Sequence, residues 1–153
     1  MDVRIIDIYV DGEGNWYYRG IPSTREDIIR IFIENLVELP DGSYGIKEGG
    51  KVHRIKVEDT PMFATSVDFI KDDKGIKEIL VNIKYLDCCK SIDPKSIVVT
   101  RKGAYVKLRD SGLKAKLSRS AYMQLANIIE EESGKFYITV SGKRYYISSS
   151  EST

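Results

Sequence analysis

Cysteine, histidine and long apolar runs are all scarce in this chain. Its two cysteines, Cys88 and Cys89, are adjacent, and a bridge between neighbours closes a strained ring, so no disulfide framework staples the fold. The sole histidine, His53, lies 35 positions from them with no second ligand at metal spacing, which excludes a zinc site of the Cys/His kind. Free cysteines are commonly buried small apolar groups, so the pair is read as reduced and structurally neutral. No metal and no cofactor is expected. The longest apolar runs, such as Ile97 to Val99, are far short of a bilayer span. The stretch "MDVRIIDIYVDGEG" lacks the basic start and apolar block of a secretory signal. These absences point to a cytoplasmic chain with no membrane contact.

What is present suits a globular protein. The chain has 153 residues, 42% hydrophobic and 31% charged, enough for one good core or two small modules. A net charge of +1 conceals an asymmetry: residues 1–76 carry 10 basic against 15 acidic side chains, and residues 77–153 carry 14 against 8. The second half therefore suits an anionic partner, or the two halves attract each other.

Periodicity divides the chain into short elements. Ile6, Ile8 and Val10 alternate on one strand face, "DGEGN" supplies a turn, and "WYYRG" returns as a second strand. Ser23 and Glu26 stand at capping-box spacing before a helix whose apolar face is Ile29, Phe32, Ile33, Leu36 and Val37, with Pro40, Asp41 and Gly42 as the stop. A hairpin "SYGIKE" and "KVHRIKVED" turns through Gly49 and Gly50, and a third pairs "MFATSVDFI" with "KEILVNIKYL". After the loop "DCCKSIDPKS" the pattern restarts with strands, a helix "RSAYMQLANIIEEE" and a closing hairpin "KFYITV", "SG", "KRYYI".

The restart is a repeat. "GGKVHRI" at 49–55 and "SGKRYYI" at 141–147 lie 92 residues apart, and at that offset Asn35, Glu38, Gly42, Ile46, Gly50, Lys51 and Ile55 meet identical residues. Ile29, Ile33, Leu36 and Val37 fall on Ala121, Leu125, Ile128 and Ile129. A duplicated supersecondary unit accounts for this. The expected fold class is α+β: two duplicated β-β-α-β-β modules, residues 1–60 and 95–153, joined by a central hairpin and loop over 61–94, with mostly antiparallel twisted sheets.

The blocks "WYYRGIP", "DIIRIFIENL" with "DGSYGI", "IKVEDTPMF", "GLKAKLSRSAYMQL" and "VSGKRYYI", in that order, resemble the bacterial family catalogued as domain of unknown function 1285. The resemblance implies an α+β fold of two related repeats and suggests a regulatory or ligand-sensing role in signalling. It implies no established activity.

The residues offer few catalytic constellations. In "GIKEGGKV" the spacing of Gly45, Gly50 and Lys51 imitates a phosphate-binding loop, but Val52 replaces the required Ser or Thr and a strand replaces the helix. His53 shares a strand face with Ile55, which favours a hydrogen-bonded core or interface histidine. Arg54, Glu58 and Asp59 surround the bend at Pro61, where loop carboxylates can serve a ligand, or where Asp59 or Thr60 closes a side-chain turn. The sharpest signal is "YVKLRDSGLKAKLSR". Val106, Leu108, Leu113, Ala115 and Leu117 alternate with Lys107, Arg109, Lys114 and Lys116, so a hairpin there buries one face and presents cations on the other. From Lys95 to Arg119 there are eight basic residues and one acidic.

These residues lead to a non-enzymatic regulatory or sensor protein binding a small anionic ligand or a protein partner. The alternative is a nucleic-acid-associated protein using the cationic hairpin 105–119, with Tyr105 as a stacking surface. Unpaired sheet edges are compatible with a homodimer.

Overall fold

The computed structural model describes residues 2–150, and these divide into two units, one ending at Met62 and the other beginning at Phe63. In the first unit the elements are β1 (Asp2–Val10), β2 (Trp16–Tyr18), β3 (Ile21–Pro22), α1 (Glu26–Glu34), β4 (Leu36–Glu38), β5 (Tyr44–Glu48) and β6 (Lys51–Val57). The β1–β2 hairpin forms as its alternation predicts: Ile8 lies opposite Tyr18 and Val10 opposite Trp16, and Ile8, Val10 and Trp16 are buried. Asp11 organises the turn by accepting from the backbone N–H groups of Glu13 and Asn15, each at 2.9 Å. The six strands run in the order β3-β2-β1-β6-β5-β4. All neighbours are antiparallel except β1 and β6, which are parallel.

Two features of α1 differ from expectation. Ser23 does not cap it: its N–H bonds the Trp16 carbonyl at 2.8 Å, and the first helical hydrogen bonds run to the Arg25 carbonyl. Arg25 occupies the cap position without a side-chain bond. The helix also ends earlier. Asn35 donates its side-chain amide to the Ile31 carbonyl at 2.8 Å while its own carbonyl accepts from the Lys47 N–H at 2.9 Å, so the chain leaves the helix for the sheet. Leu36 and Val37, expected on the helical face, therefore lie in β4 opposite Ile46 and Gly45. Leu36 still reaches the core.

The second unit comprises β7 (Met62–Asp72), β8 (Gly75–Ile83), β9 (Lys90–Ser91), a 3₁₀ turn (Pro94–Ser96), β10 (Val98–Thr100), β11 (Gly103–Lys107), β12 (Lys114–Leu117), α2 (Arg119–Ala126), β13 (Glu130–Glu132), β14 (Lys135–Val140), β15 (Lys143–Tyr146) and β16 (Ser148–Ser150). Seven strands form a sheet in the order β16-β10-β11-β12-β7-β8-β9, and β13-β14-β15 form another. The β7–β8 hairpin thus lies within the larger sheet, next to β12. Ser118 caps α2, accepting from the Ala121 N–H at 3.0 Å. This helix also stops before the predicted end, and Glu130 to Glu132 form a strand against Lys135 to Tyr137.

The fold is α+β, strand-rich, with mixed but mainly antiparallel sheets. Parallel pairing recurs in both units: β10 pairs antiparallel with β11 and parallel with β16, as β1 does with β2 and β6. Both copies of the repeated phrase enclose a two-residue hairpin turn, Gly49–Gly50 between Glu48 and Lys51, and Ser141–Gly142 between Val140 and Lys143. Gly49 and Gly142 have φ of 60° and 77°, which glycine adopts without steric cost. Cys88 and Cys89 are free thiols, and contrary to the burial common for such residues both are exposed, because they fall in the loop after β8. No helix among the described residues is long and apolar enough to cross a membrane.

Candidate functional site

Strands β11 and β12 build the cationic face. Val106 lies opposite Ala115, and on the other face Tyr105 lies opposite Lys116 and Lys107 opposite Lys114. Ala104, Val106, Leu108, Leu113, Ala115 and Leu117 are all buried. Alternation then leaves Lys107, Arg109 and Lys114 exposed and Lys116 half-buried. Arg109 is anchored to Ser91 through its backbone N–H at 2.8 Å and its side-chain Nε at 3.4 Å.

The acidic residue of this segment does not neutralise the face. Partial burial acts to raise the pKa of the Asp110 carboxyl, but the Lys90 ammonium 3.2 Å away, together with hydrogen bonds from the Ser111 backbone and side chain, outweighs it and holds the group below the ordinary carboxylate range. Among the described residues neither Lys107 nor Lys114 has a carboxylate partner. Tyr105 is 7% exposed and has the Lys114 Nζ 5.5 Å from its ring centroid. It is covered by a cation rather than presented for stacking.

Arg54, Glu58 and Asp59 belong to the first unit and enter separate local networks. The Arg54 Nη1 donates to Asp41 Oδ2 at 2.7 Å and to Ser43 Oγ at 3.0 Å. Hydrogen bonds from the Ser43 hydroxyl, and then from Arg54, hold the Asp41 carboxyl well below the usual range. Glu58 Oε1 accepts from the Tyr9 hydroxyl at 2.7 Å, and that bond, with some desolvation and the Glu58 charge, pushes the Tyr9 phenol up to about 12. Asp59 is near enough to Tyr44 to help raise its phenol, after the larger effect of burial. The turn bond at the bend comes from Thr60, whose hydroxyl donates to the Met62 carbonyl at 3.0 Å. The sequence thus brings Arg54 and the carboxylates close along the chain, while the structure commits Arg54 to the Asp41–Ser43 turn and Glu58 to Tyr9 of β1.

A site that periodicity did not reveal lies against α1. It is a groove of about 700 Å³, with Ile8, Trp16 and Ile46 from the sheet, Ile29 and Phe32 from the helix, and Asp7, Arg19, Arg25, Glu48 and His53 among its polar residues. The rings of Trp16 and Phe32 are 6.1 Å apart and stacked at 27°. His53 Nε2 is 4.0 Å from Glu48 Oε2, and His53 Nδ1 is buried without a hydrogen-bond partner. The histidine faces Ile46 across the β5–β6 pair, on the face that alternation assigned to it. No local signal in the sequence marks it, because its walls come from β1, β2, β5, β6 and α1, which only the tertiary fold brings together.

No family model matches the sequence, and no curated protein is significantly similar to it. Two solved structures are similar in fold. A DUF1285 family protein from Silicibacter pomeroyi DSS-3 superposes with a TM-score of 0.78 at 21% identity, over 94% of this chain and 81% of that one. Another from Shewanella baltica OS155 gives a TM-score of 0.65 at 23% identity, over 78% of this chain and 90% of its own. The chain therefore has the fold of DUF1285 family proteins, a family named for its unknown function. The resemblance carried by the sequence blocks is borne out at the level of fold.

Proposed function

We propose that the protein is a cytoplasmic, non-enzymatic regulatory or sensor protein that acts in signalling by holding a small anionic ligand on the face formed by Lys107, Arg109, Lys114 and Lys116. The observation that carries this reading is the register of β11 and β12, which sets Lys107 directly opposite Lys114. Like charges in that position destabilise an antiparallel pair, and a phosphate or carboxylate seated between them converts repulsion into attraction. Binding is then coupled to stability. A ligand at about a hundred times its dissociation constant adds about 2.7 kcal/mol, which raises the unfolding midpoint by several degrees. Pyrophosphate and nucleotides are the probes, compared between the wild type and the double variant Lys107→Gln/Lys114→Gln. A saturable midpoint rise confined to the wild type supports the site. An equal rise in both proteins places any anion elsewhere.

The nucleic-acid alternative uses the same lysines. Lys107 and Lys114, without a carboxylate partner among the described residues, favour it, and the burial of Tyr105 weighs against stacking. Each phosphate bound to a single strand contributes about −0.7 to the slope of log K against log salt, so oligonucleotide binding without that dependence removes this reading. A protein partner would compete with pyrophosphate for the face, and a homodimer is tested by mass in solution.

The two β-β-α-β-β modules, 1–60 and 95–153, are read as copies of one ancestor. The common offset of 92 and the parallel pairing of first with last strand in each support this. The hairpin and loop over 61–94 then form the segment between copies, with β7 and β8 added to the sheet of the second.

A further inference from the structure

The groove beside α1 shares no residue with the cationic hairpin, and its volume of about 700 Å³ lies within the range of small-molecule sites. Its body is apolar. Ile8, Trp16, Ile29 and Ile46 are all under a tenth exposed, and Phe32 completes the wall. Such a surface selects a ligand with a hydrocarbon body but says nothing of its head group.

Arg19 supplies that information. Tyr18 pairs with Ile21, so Arg19 and Gly20 form a two-residue hairpin loop, and both are left-handed, with φ of 51° and 78°. Such loops favour glycine, asparagine and aspartate, and a long side chain with a Cβ is unfavourable there. The arginine is nevertheless present, its Cζ 5.2 Å from the half-exposed Tyr18 ring. The other arginine of the groove, Arg25, is occupied by Asp27 at 3.0 Å. Arg19 has no carboxylate partner among the described residues. Of the groove's two carboxylates, Glu48 stands by His53, and Asp7, whose backbone carbonyl accepts from the Arg19 N–H at 3.0 Å, makes no ion pair with the Arg19 side chain among the described residues. Arg19 is thus the arginine of the groove without an ion-pair partner among the described residues, and its guanidinium is the group open to an anion.

We propose that this groove binds an amphipathic carboxylate, with its apolar chain along Ile8, Trp16, Ile29 and Phe32 and its head on the Arg19 guanidinium. A guanidinium matches a carboxylate through two parallel N–H bonds, which an ammonium cannot supply. The proposal stands independently of any ligand at Lys107 and Lys114.

Trp16 is the sole tryptophan and lies in the wall of the groove, so its fluorescence reports occupancy directly. The probes are decanoate and decanol, equal in chain length and different in charge, titrated below the concentration at which decanoate forms micelles. Decanoate is expected to change the Trp16 emission saturably and to bind about tenfold more tightly than decanol, the lower end for a charge-assisted contact. Arg19→Gln should remove that difference by weakening decanoate alone, and Arg19→Lys should restore part of it. Chemical denaturation of each variant verifies folding at this exposed position. No Trp16 response to either probe overturns the site. Equal binding of both probes to the wild type, or unchanged decanoate affinity in Arg19→Gln, overturns the carboxylate head.

Discussion

Replacing Lys107 by glutamate should make the protein more stable and less able to bind anions. Lys107 is exposed and directly opposite Lys114. Like and opposite charges in such a pair shift stability by about 0.2–1 kcal/mol in opposite directions, so reversing one sign gains about 1 kcal/mol. For a chain of this length that corresponds to a midpoint rise of about 3 °C. The change leaves Lys114 in place over Tyr105. It also leaves the bond from the Lys107 backbone N–H to Ser96 Oγ at 2.8 Å, so few other terms alter. Lys107→Gln, which removes repulsion without adding attraction, should give about half the gain. Thermal unfolding at low ionic strength measures both. In 1 M salt, where the screening length is about 3 Å, the differences should shrink. Pyrophosphate should then raise the midpoint of the wild type and leave that of Lys107→Glu unchanged. A Lys107→Glu midpoint below that of the wild type at low salt would refute the argument from cross-strand repulsion. A pyrophosphate response as large as the wild type's would refute the anion site.

Other consequences follow from the local networks. The Tyr9 phenol is raised from 10.0 to about 12, so its bond to Glu58 contributes stability that is full below pH about 10 and is lost as pH rises through about 12. Glu58→Gln should bring the tyrosinate absorbance titration of this residue down toward the ordinary value, and an unchanged titration would disprove the cause assigned. Gly45→Ala should destabilise the first unit by about 1–3 kcal/mol, because the added Cβ would lie 2.5 Å from Val52 Cγ1 and 3.2 Å from the His53 carbonyl oxygen. Urea denaturation checks this, and a neutral result would mean that β5 and β6 separate freely. Gln124→Leu should cost about 1–3 kcal/mol by leaving the Val67 N–H, now donating to Gln124 Oε1 at 2.7 Å, without its acceptor. Amide hydrogen exchange at Val67 reports that loss, and unaltered protection would contradict it.

Much of the architecture was legible locally. Alternation placed Ile8 and Val10 inside, and separated Val106 and Leu108 from Lys107 and Arg109, because side chains on a strand change face at every residue. Turn chemistry located the hairpins at Gly49–Gly50 and Ser141–Gly142, where positive φ is required. The repeat at an offset of 92 and the α+β class were also visible in the chain. The sequence identified which residues would be cationic neighbours, but not that Tyr105 would be buried, with the Lys114 ammonium 5.5 Å from its ring.

Tertiary structure decided the rest. Whether Asn35 continues a helix or hands the chain to a sheet depends on the Lys47 N–H that reaches its carbonyl, a partner twelve residues away. The parallel pairing of β1 with β6 leaves no local trace, since periodicity names the face a residue occupies and never the strand beside it. The same limit applies to function. Alternation determined that Lys107 and Lys114 share a face, but only the register of two strands made them opposite. Only the packing of α1 beside β1, β2, β5 and β6 brings the residues of the groove together. Faces are set by bond geometry within a few residues, while neighbours are set by hydrogen bonds and burial between distant segments.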